Sequence, residues 1–301
     1  MSPPSDRQIS LDLPSQNSRV NGTIVYRRAY VLYKGVRSRE SRISTMLQLS
    51  ILHRDEEAHV FSLKRPSTVV FLTASLLLVG IKLLFRYYPG NFTAKGQAEA
   101  FTWPLVTGII VIGLLGLLTD RSLSAGGRFP EPFTDPSREK RGLVIATTSG
   151  VVYGFITLAS DLAGSARNPV ALTSGWPHVP WPWSVPFYTF GAIFLEFLLR
   201  LGALSILVWF FHVVLFRRRW FVPTFWVINL AVASYEIQPA VFAATAAQDW
   251  RSVALAPLQP LYWTNVVEGW LLFRYGWFSP IVFRLSFYLI WHVIYGGLGP
   301  F

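Results

Sequence analysis

The chain has 301 residues, of which 52% are hydrophobic and only 14% are charged. Soluble domains carry about 25% charged residues, so this chain has too few charges to cover a soluble surface. Its formal net charge is +11, which basic loops at the cytoplasmic face of a membrane explain without a nucleic-acid partner. The absence of cysteine excludes disulfides, thiolate catalysis and zinc–cysteine sites.

The first 67 residues form a polar, basic tail with eleven Lys and Arg against six Asp and Glu. We expect this tail to lie in the cytoplasm and to contact anionic lipid headgroups. No apolar stretch lies near Met1, so no cleavable signal is predicted. The predicted organisation is therefore a basic tail over 1–67 and a transmembrane helical bundle over 68–301.

Seven apolar segments follow the tail, and five of them are close to the ~20 residues that cross a bilayer as a helix. The fourth is about 31 residues long and predicts either a steeply tilted helix or a break near Gly202, which would raise the count to eight. Pro239 predicts a kink in the fifth. The segments are Thr68–Phe85, Trp103–Leu118, Leu143–Ser160, Pro186–Phe216, Phe221–Ala247, Leu258–Phe273 and Ser279–Tyr295.

Loop charges give this predicted all-α bundle an orientation. If the long fourth segment crosses the membrane once, the basic connections fall on the same side of the membrane. They are the tail, the loop Asp120–Arg141, the run Arg217–Arg219 and Arg274. The positive-inside rule then places the N-terminus in the cytoplasm and the C-terminus outside. The apolar segments predict a multi-pass protein, and the lack of an organelle signal favours the bacterial cytoplasmic membrane.

Ionisable side chains inside lipid cost roughly 2.5–3.5 kcal/mol each, so their retention implies a role. One group recurs at a spacing of four, Arg284, Tyr288 and His292, which places the three on one helix face. Three glutamates and two arginines can form one buried network. The intramembrane ionisable residues are Glu196, Arg200, His212, Glu236, Glu268, Arg284 and His292.

Two interpretations of these residues compete. In the structural one, the charges pair and hold the bundle together. In the catalytic one, a glutamate activates water inside the bundle. His212 and His292 fall near opposite faces, so we expect no shared metal site, and no cofactor is predicted. A transporter interpretation lacks the two-half repeat that such proteins often show.

The segments Gly191–Phe216 and Asn265–Val293 carry a family resemblance. Leu195-Glu196-Phe197-Leu198-Leu199-Arg200, Gly269-Trp270-Leu271 and Trp291-His292-Val293 resemble the CPBP family of intramembrane proteins, the CAAX prenyl endopeptidase and bacteriocin-processing group. Members of that family carry Glu-Glu-x-x-x-Arg, Phe-x-x-x-His and His-x-x-x-Asn or Asp. The resemblance implies an all-helical membrane bundle around a polar cavity open to the cytoplasm.

The chain departs from the family at the residues that hold and activate water. Leu195 stands where the catalytic glutamate is expected, Arg284 replaces a histidine, and Tyr288 replaces an asparagine. The second motif, near Ala233–Ile237, lacks both its phenylalanine and its histidine. Because an arginine cannot act as a general base at neutral pH, the usual hydrolytic route is lost.

These departures favour a non-catalytic protein that binds a membrane-protein partner or forms part of a membrane complex. In that interpretation Arg200, Arg284 and Tyr288 are structural or bind an anionic group such as a lipid phosphate. The alternative is an active CAAX-type intramembrane endopeptidase with a non-standard glutamate. Its candidate catalytic residues are Glu196, Glu236, Glu268 and His292.

Overall fold

The computed structural model describes residues 65–87, 102–167, 179 and 181–296, and all regular secondary structure in this part of the chain is helical. Among the described residues, five helices, α1 to α4 and α9, are long and apolar enough to cross a membrane. The chain is therefore an integral membrane protein whose described part is all-α. The helices are α1 (Pro66–Tyr87), α2 (Trp103–Ala125), α3 (Pro136–Arg167), α4 (Ser184–Leu215), α5 (Phe221–Ala233), α6 (Gln238–Ala246), α7 (Trp250–Leu255), α8 (Pro260–Tyr275) and α9 (Phe278–Gly296).

Residues 1–64 of the predicted basic tail lie outside the described residues. The last two residues of the tail, Pro66 and Ser67, begin α1. The other helix starts also follow simple rules. Pro104 is the second residue of α2 and Pro136 the first residue of α3, both within the first turn, where the missing N–H of proline would have no helical partner. The predicted start of the third span at Leu143 was seven residues late, because the charged first turns of α3 are helical as well.

The predicted fifth span is two helices. A 3₁₀ turn, Ser234–Ile237, separates α5 from α6, at the place where Pro239 predicted a kink. Proline at 239 cannot donate a hydrogen bond to the carbonyl of Tyr235, so the α-helical ladder is interrupted there. The predicted sixth span corresponds to α8, which has 16 residues. Seven to eight spans therefore remain a prediction beyond the five long helices.

The short helices α6 and α7 connect the 3₁₀ turn to α8. Several of their apolar side chains are exposed, including Phe242 and Trp250 at 67% and 65%. Asp249 caps α7, because its carboxylate accepts hydrogen bonds from the backbone N–H and the hydroxyl of Ser252. These hydrogen bonds lower the pKa of Asp249, since they stabilise the ionised carboxylate.

The long fourth segment is one continuous helix of 32 residues, so the predicted break near Gly202 is absent. In its place α4 contains two π-helical segments, Phe197–Leu204 and Phe210–Leu215. Single π turns inside α-helices are frequent at functional sites.

Glycines bring α2 and α4 into backbone contact. A Cβ atom on Gly116 would lie 1.8 Å from the carbonyl oxygen of Leu201, and one on Gly202 would lie 2.5 Å from Cγ2 of Ile112. Small residues at helix crossings are the usual means of close packing in membranes, where no hydrophobic force drives helices together. The π segment of α4 is therefore seated directly against α2.

We expect Gly116→Ala to destabilise the bundle by about 1–3 kcal/mol, because the added methyl group must push two backbones apart. Gly108→Ala, on the same helix, is the matched control, since a Cβ there meets no atom within 4 Å. Thermal melting of the purified variants in detergent measures both. Equal melting temperatures for the two variants would contradict the close approach of α2 and α4.

Two further helix pairs complete the surroundings of the site. α3 and α9 run parallel, because Gly142, Gly150 and Gly154 of α3 lie, in that order, against Ser279, Phe283 and Ile290 of α9. α5 and α8 run antiparallel, with the Phe225 and Phe273 rings 4.8 Å apart and Asn229 donating to the carbonyl of Val266 at 3.1 Å. The polar faces of α4, α8 and α9 then converge with the 3₁₀ turn after α5.

Candidate functional site

The intramembrane charges predicted to form one network do meet at one place. We call this group the buried charge cluster; it contains two arginines, three glutamates, one asparagine and one tyrosine. Its two arginines are at most 1% exposed, and its ion pairs join four different elements. The members are Glu196 and Arg200 of α4, Glu236 of the 3₁₀ turn, Asn265 and Glu268 of α8, and Arg284 and Tyr288 of α9.

Arg284 is the centre of the cluster and hydrogen-bonds to all three glutamates. Its Nε donates to Glu196 at 2.6 Å, its Nη1 to Glu236 at 2.6 Å, and its Nη2 to Glu268 at 2.5 Å. Nη2 also donates to Oδ1 of Asn265 at 3.1 Å. A planar guanidinium with five N–H donors suits such branching, and a lysine could not reproduce it.

Arg200 links α4 to α8. Its Nη2 donates to Oδ1 of Asn265 at 2.5 Å and to Oε2 of Glu268 at 2.6 Å. The predicted pair between Glu196 and Arg200 is the weaker contact, with 3.9 Å between Oε2 and Nε. Arg200 lies in a π segment, where residue i aligns with i+5 rather than i+4, so its guanidinium turns away from Glu196.

The predicted stripe of Arg284, Tyr288 and His292 on α9 is confirmed. Nη1 of Arg284 donates to the hydroxyl of Tyr288 at 3.3 Å, and the Tyr288 and His292 rings are 5.0 Å apart. The His292 ring also stacks on Tyr188 of α4, with centroids 4.0 Å apart and planes inclined by 7°. Its imidazole therefore sits between aromatic rings beside the cluster.

The two intramembrane histidines lie at opposite ends of α4. His292 packs on Tyr188, whereas His212 is 24 residues further along that helix, a separation of about 36 Å at 1.5 Å per residue. Nδ1 of His212 lies 3.0 Å from the carbonyl oxygen of Arg219. None of the three glutamates hydrogen-bonds to a histidine within the described residues.

Charge and hydrogen bonding in the cluster do not balance fully. Three carboxylates face two guanidinium groups, so with all groups ionised the cluster carries one net negative charge. One oxygen each of Glu196 and Glu268, and Nε and Nη1 of Arg200, have no hydrogen-bond partner among the described residues. Since buried polar atoms are nearly always paired, the cluster has capacity for additional polar contacts.

Glu236 differs from the other two acids in its exposure. Its side chain is 14% exposed, against 1% for Glu196 and 0% for Glu268. Both of its oxygens are nevertheless engaged, one by Arg284 and the other by Nδ2 of Asn265 at 2.8 Å. Glu236 therefore lies at the rim of the cluster, on the 3₁₀ turn that interrupts the helix.

Two polar features were absent from the sequence predictions. Asn265 bridges both arginines and Glu236; its signal was the i,i+3 spacing to Glu268 on a predicted membrane helix. Asp120 and Arg121 are buried inside α2, at 1% and 4% exposure, because that helix continues to Ala125 rather than Leu118. Arg121 donates to Ser67 at 3.1 Å and to Thr68, which ties the end of α2 to the start of α1.

The cluster and its helical bundle define an integral membrane protein with a buried polar centre. No protein-family model, curated protein or solved structure matches the chain.

Proposed function

We propose that this protein is a non-catalytic member of the CPBP-type membrane bundles, which acts by binding another membrane protein. The observation that carries the proposal is the engagement of all three intramembrane glutamates by Arg284. A hydrolytic site requires a carboxylate or histidine within about 3 Å of its water and free to take the proton. In this cluster a guanidinium occupies the central position, and it cannot take a proton.

The family part of the proposal is supported by where the three motif segments lie. Glu196 and Arg200 come from the first segment, Glu236 from the second, and Arg284 and Tyr288 from the third. These segments are distant in sequence, yet their side chains share one set of hydrogen bonds. Convergence at one site is what a common ancestry with the CPBP motifs predicts.

The proposed setting is the bacterial cytoplasmic membrane, with the N-terminus in the cytoplasm and the tail of 1–67 against anionic lipid headgroups. The charge distribution supports this orientation. The end of the bundle with the loops 126–135 and 216–220 carries Arg128, Arg138, Lys140, Arg141 and Arg217–Arg219. Such an excess of basic side chains is typical of the cytoplasmic face.

The alternative, an intramembrane endopeptidase with Glu236 as base, has one observation in its favour: Glu236 is the most exposed acid of the cluster. Both of its oxygens would first have to leave Arg284 and Asn265. Each of those hydrogen bonds to a charged group contributes about 1.5–3 kcal/mol, so a resting enzyme would hold its base in an unreactive arrangement.

A peptidase assay separates the two proposals. The full-length protein in lipid nanodiscs is incubated with prenylated peptides and with membrane-helix substrates, and cleavage is followed by mass spectrometry. We expect no turnover above empty nanodiscs, for the unaltered chain and for Glu236→Gln alike. Cleavage by the unaltered chain that disappears in Glu236→Gln, while Glu131→Gln keeps it, would overturn the non-catalytic assignment.

The binding part of the proposal has its own test. Crosslinking in the native membrane, followed by purification and mass spectrometry, is expected to recover one membrane protein in a fixed ratio to this chain. Recovery of lipids alone, with no protein in a constant ratio, would contradict a role as a complex subunit.

A further inference from the structure

The loop between α4 and α5 carries three consecutive arginines in a fixed, unusual backbone. Arg217, Arg218 and Trp220 have φ of 49°, 66° and 55°, the left-handed region that non-glycine residues rarely adopt. Such conformations persist only where the surrounding structure holds them. Here the backbone N–H of Arg218 donates to the carbonyl of His212 at 2.6 Å, and that of Arg219 to Phe216 at 3.0 Å.

A fourth arginine joins this loop from another part of the chain. Arg128 follows α2, and its guanidinium carbon lies 5.4 Å from the ring centroid of Phe221, the first residue of α5. Arg128, Arg217, Arg218 and Arg219 are all exposed, and no ion pair to an acid is found for them in the described part of the chain. We call these four residues the arginine face.

The loop part of the arginine face, Arg217–Arg219, follows the end of α4, a helix long and apolar enough to cross a membrane. Directly before it, Phe210 and Leu215 of α4 are 46% and 55% exposed, and Trp220 beside it is 70% exposed. Tryptophan is enriched at membrane–water interfaces. Exposed apolar side chains that could contact acyl chains are thus followed directly by exposed guanidinium groups that could contact lipid headgroups.

We infer that the arginine face binds the phosphate of an anionic phospholipid, with the acyl chains against Leu215 and Trp220. Guanidinium groups pair with phosphate oxygens through two parallel hydrogen bonds. A free phosphate would use only the charges, whereas a phospholipid also contacts the exposed apolar residues of α4. This inference does not depend on whether the buried charge cluster is catalytic.

Titration of the purified full-length protein in detergent with phosphatidylglycerol, and with phosphatidylcholine as the neutral comparison, tests the site by native mass spectrometry. We expect Arg217→Gln/Arg218→Gln to weaken phosphatidylglycerol binding by about fivefold per arginine, the usual contribution of a basic side chain near an anionic surface. Lys140→Gln/Arg141→Gln is the matched control, because it removes two exposed charges from the start of α3. For that control we expect less than a twofold loss.

Three outcomes would overturn the inference. Equal losses for the two double variants would show a diffuse charge effect, and equal binding of both lipids would show no headgroup selectivity. Competition by millimolar inorganic phosphate would show a site for free anions. The variant Arg217→Lys/Arg218→Lys controls for misfolding of the loop. It keeps both charges and is expected to retain most of the selectivity for phosphatidylglycerol.

Discussion

Replacing Arg284 with methionine is expected to cost the protein about 3–5 kcal/mol of stability, the typical result of removing one partner from a buried ion pair. Methionine keeps a similar length without the charge. Glu196 would then have only the long contact to Arg200, and Glu236 would keep only its bond to Asn265. Three acids would share a single arginine in a medium that solvates charge poorly.

Size-exclusion chromatography and thermal melting in detergent measure this effect. Arg274→Met is the matched control, because Arg274 is exposed at the end of α8 and its loss is expected to leave the melting temperature nearly unchanged. Arg284→Lys should fall between the two, since one ammonium group keeps the charge but cannot branch to three carboxylates. An Arg284→Met protein that elutes and melts like the unaltered chain would show that Arg284 does not hold the cluster together.

The sequence was sufficient to predict an all-helical membrane protein and the pairing of its buried charges. Apolar length identified the segments that became α1 to α4 and α9, because the cost of exposing backbone polar groups to lipid enforces helices. The same argument required Glu196, Glu268 and Arg284 to find partners, and they did so. Both predictions follow from the low polarity of the lipid around the helices and do not depend on the details of side-chain packing.

The detailed geometry of the site could not be predicted, since it depends on helix irregularities. The Glu196–Arg200 pair that α-helical spacing predicts is present as a 3.9 Å contact, but the short hydrogen bonds of Arg200, which lies in a π segment, go to Asn265 and Glu268. The π segment contains Gly202, which packs closely against Ile112, and no signal for the π geometry was found in the sequence. The family resemblance, which predicted that these segments meet, remains a proposal because no protein-family model, curated protein or solved structure matches the chain.

Because the buried charge cluster contains more acids than arginines, removing an arginine is expected to destabilise the protein more than removing a glutamate. Arg200→Met raises the imbalance from one to two unpaired negative charges and removes hydrogen bonds to Asn265 and Glu268. We expect a loss of about 3–5 kcal/mol. Glu268→Gln leaves two carboxylates for two guanidinium groups, and its amide oxygen can still accept from both arginines, so we expect a change within about 1 kcal/mol.

Thermal melting of both variants beside the unaltered protein tests this asymmetry, and combining them sharpens it. In the double variant Arg200→Met/Glu268→Gln the remaining charges are Glu196, Glu236 and Arg284, the same net charge as in the unaltered cluster. It should therefore melt above Arg200→Met alone. If Glu268→Gln is as damaging as Arg200→Met and the double variant shows no recovery, then hydrogen-bond geometry alone, and not the charge balance, stabilises the cluster.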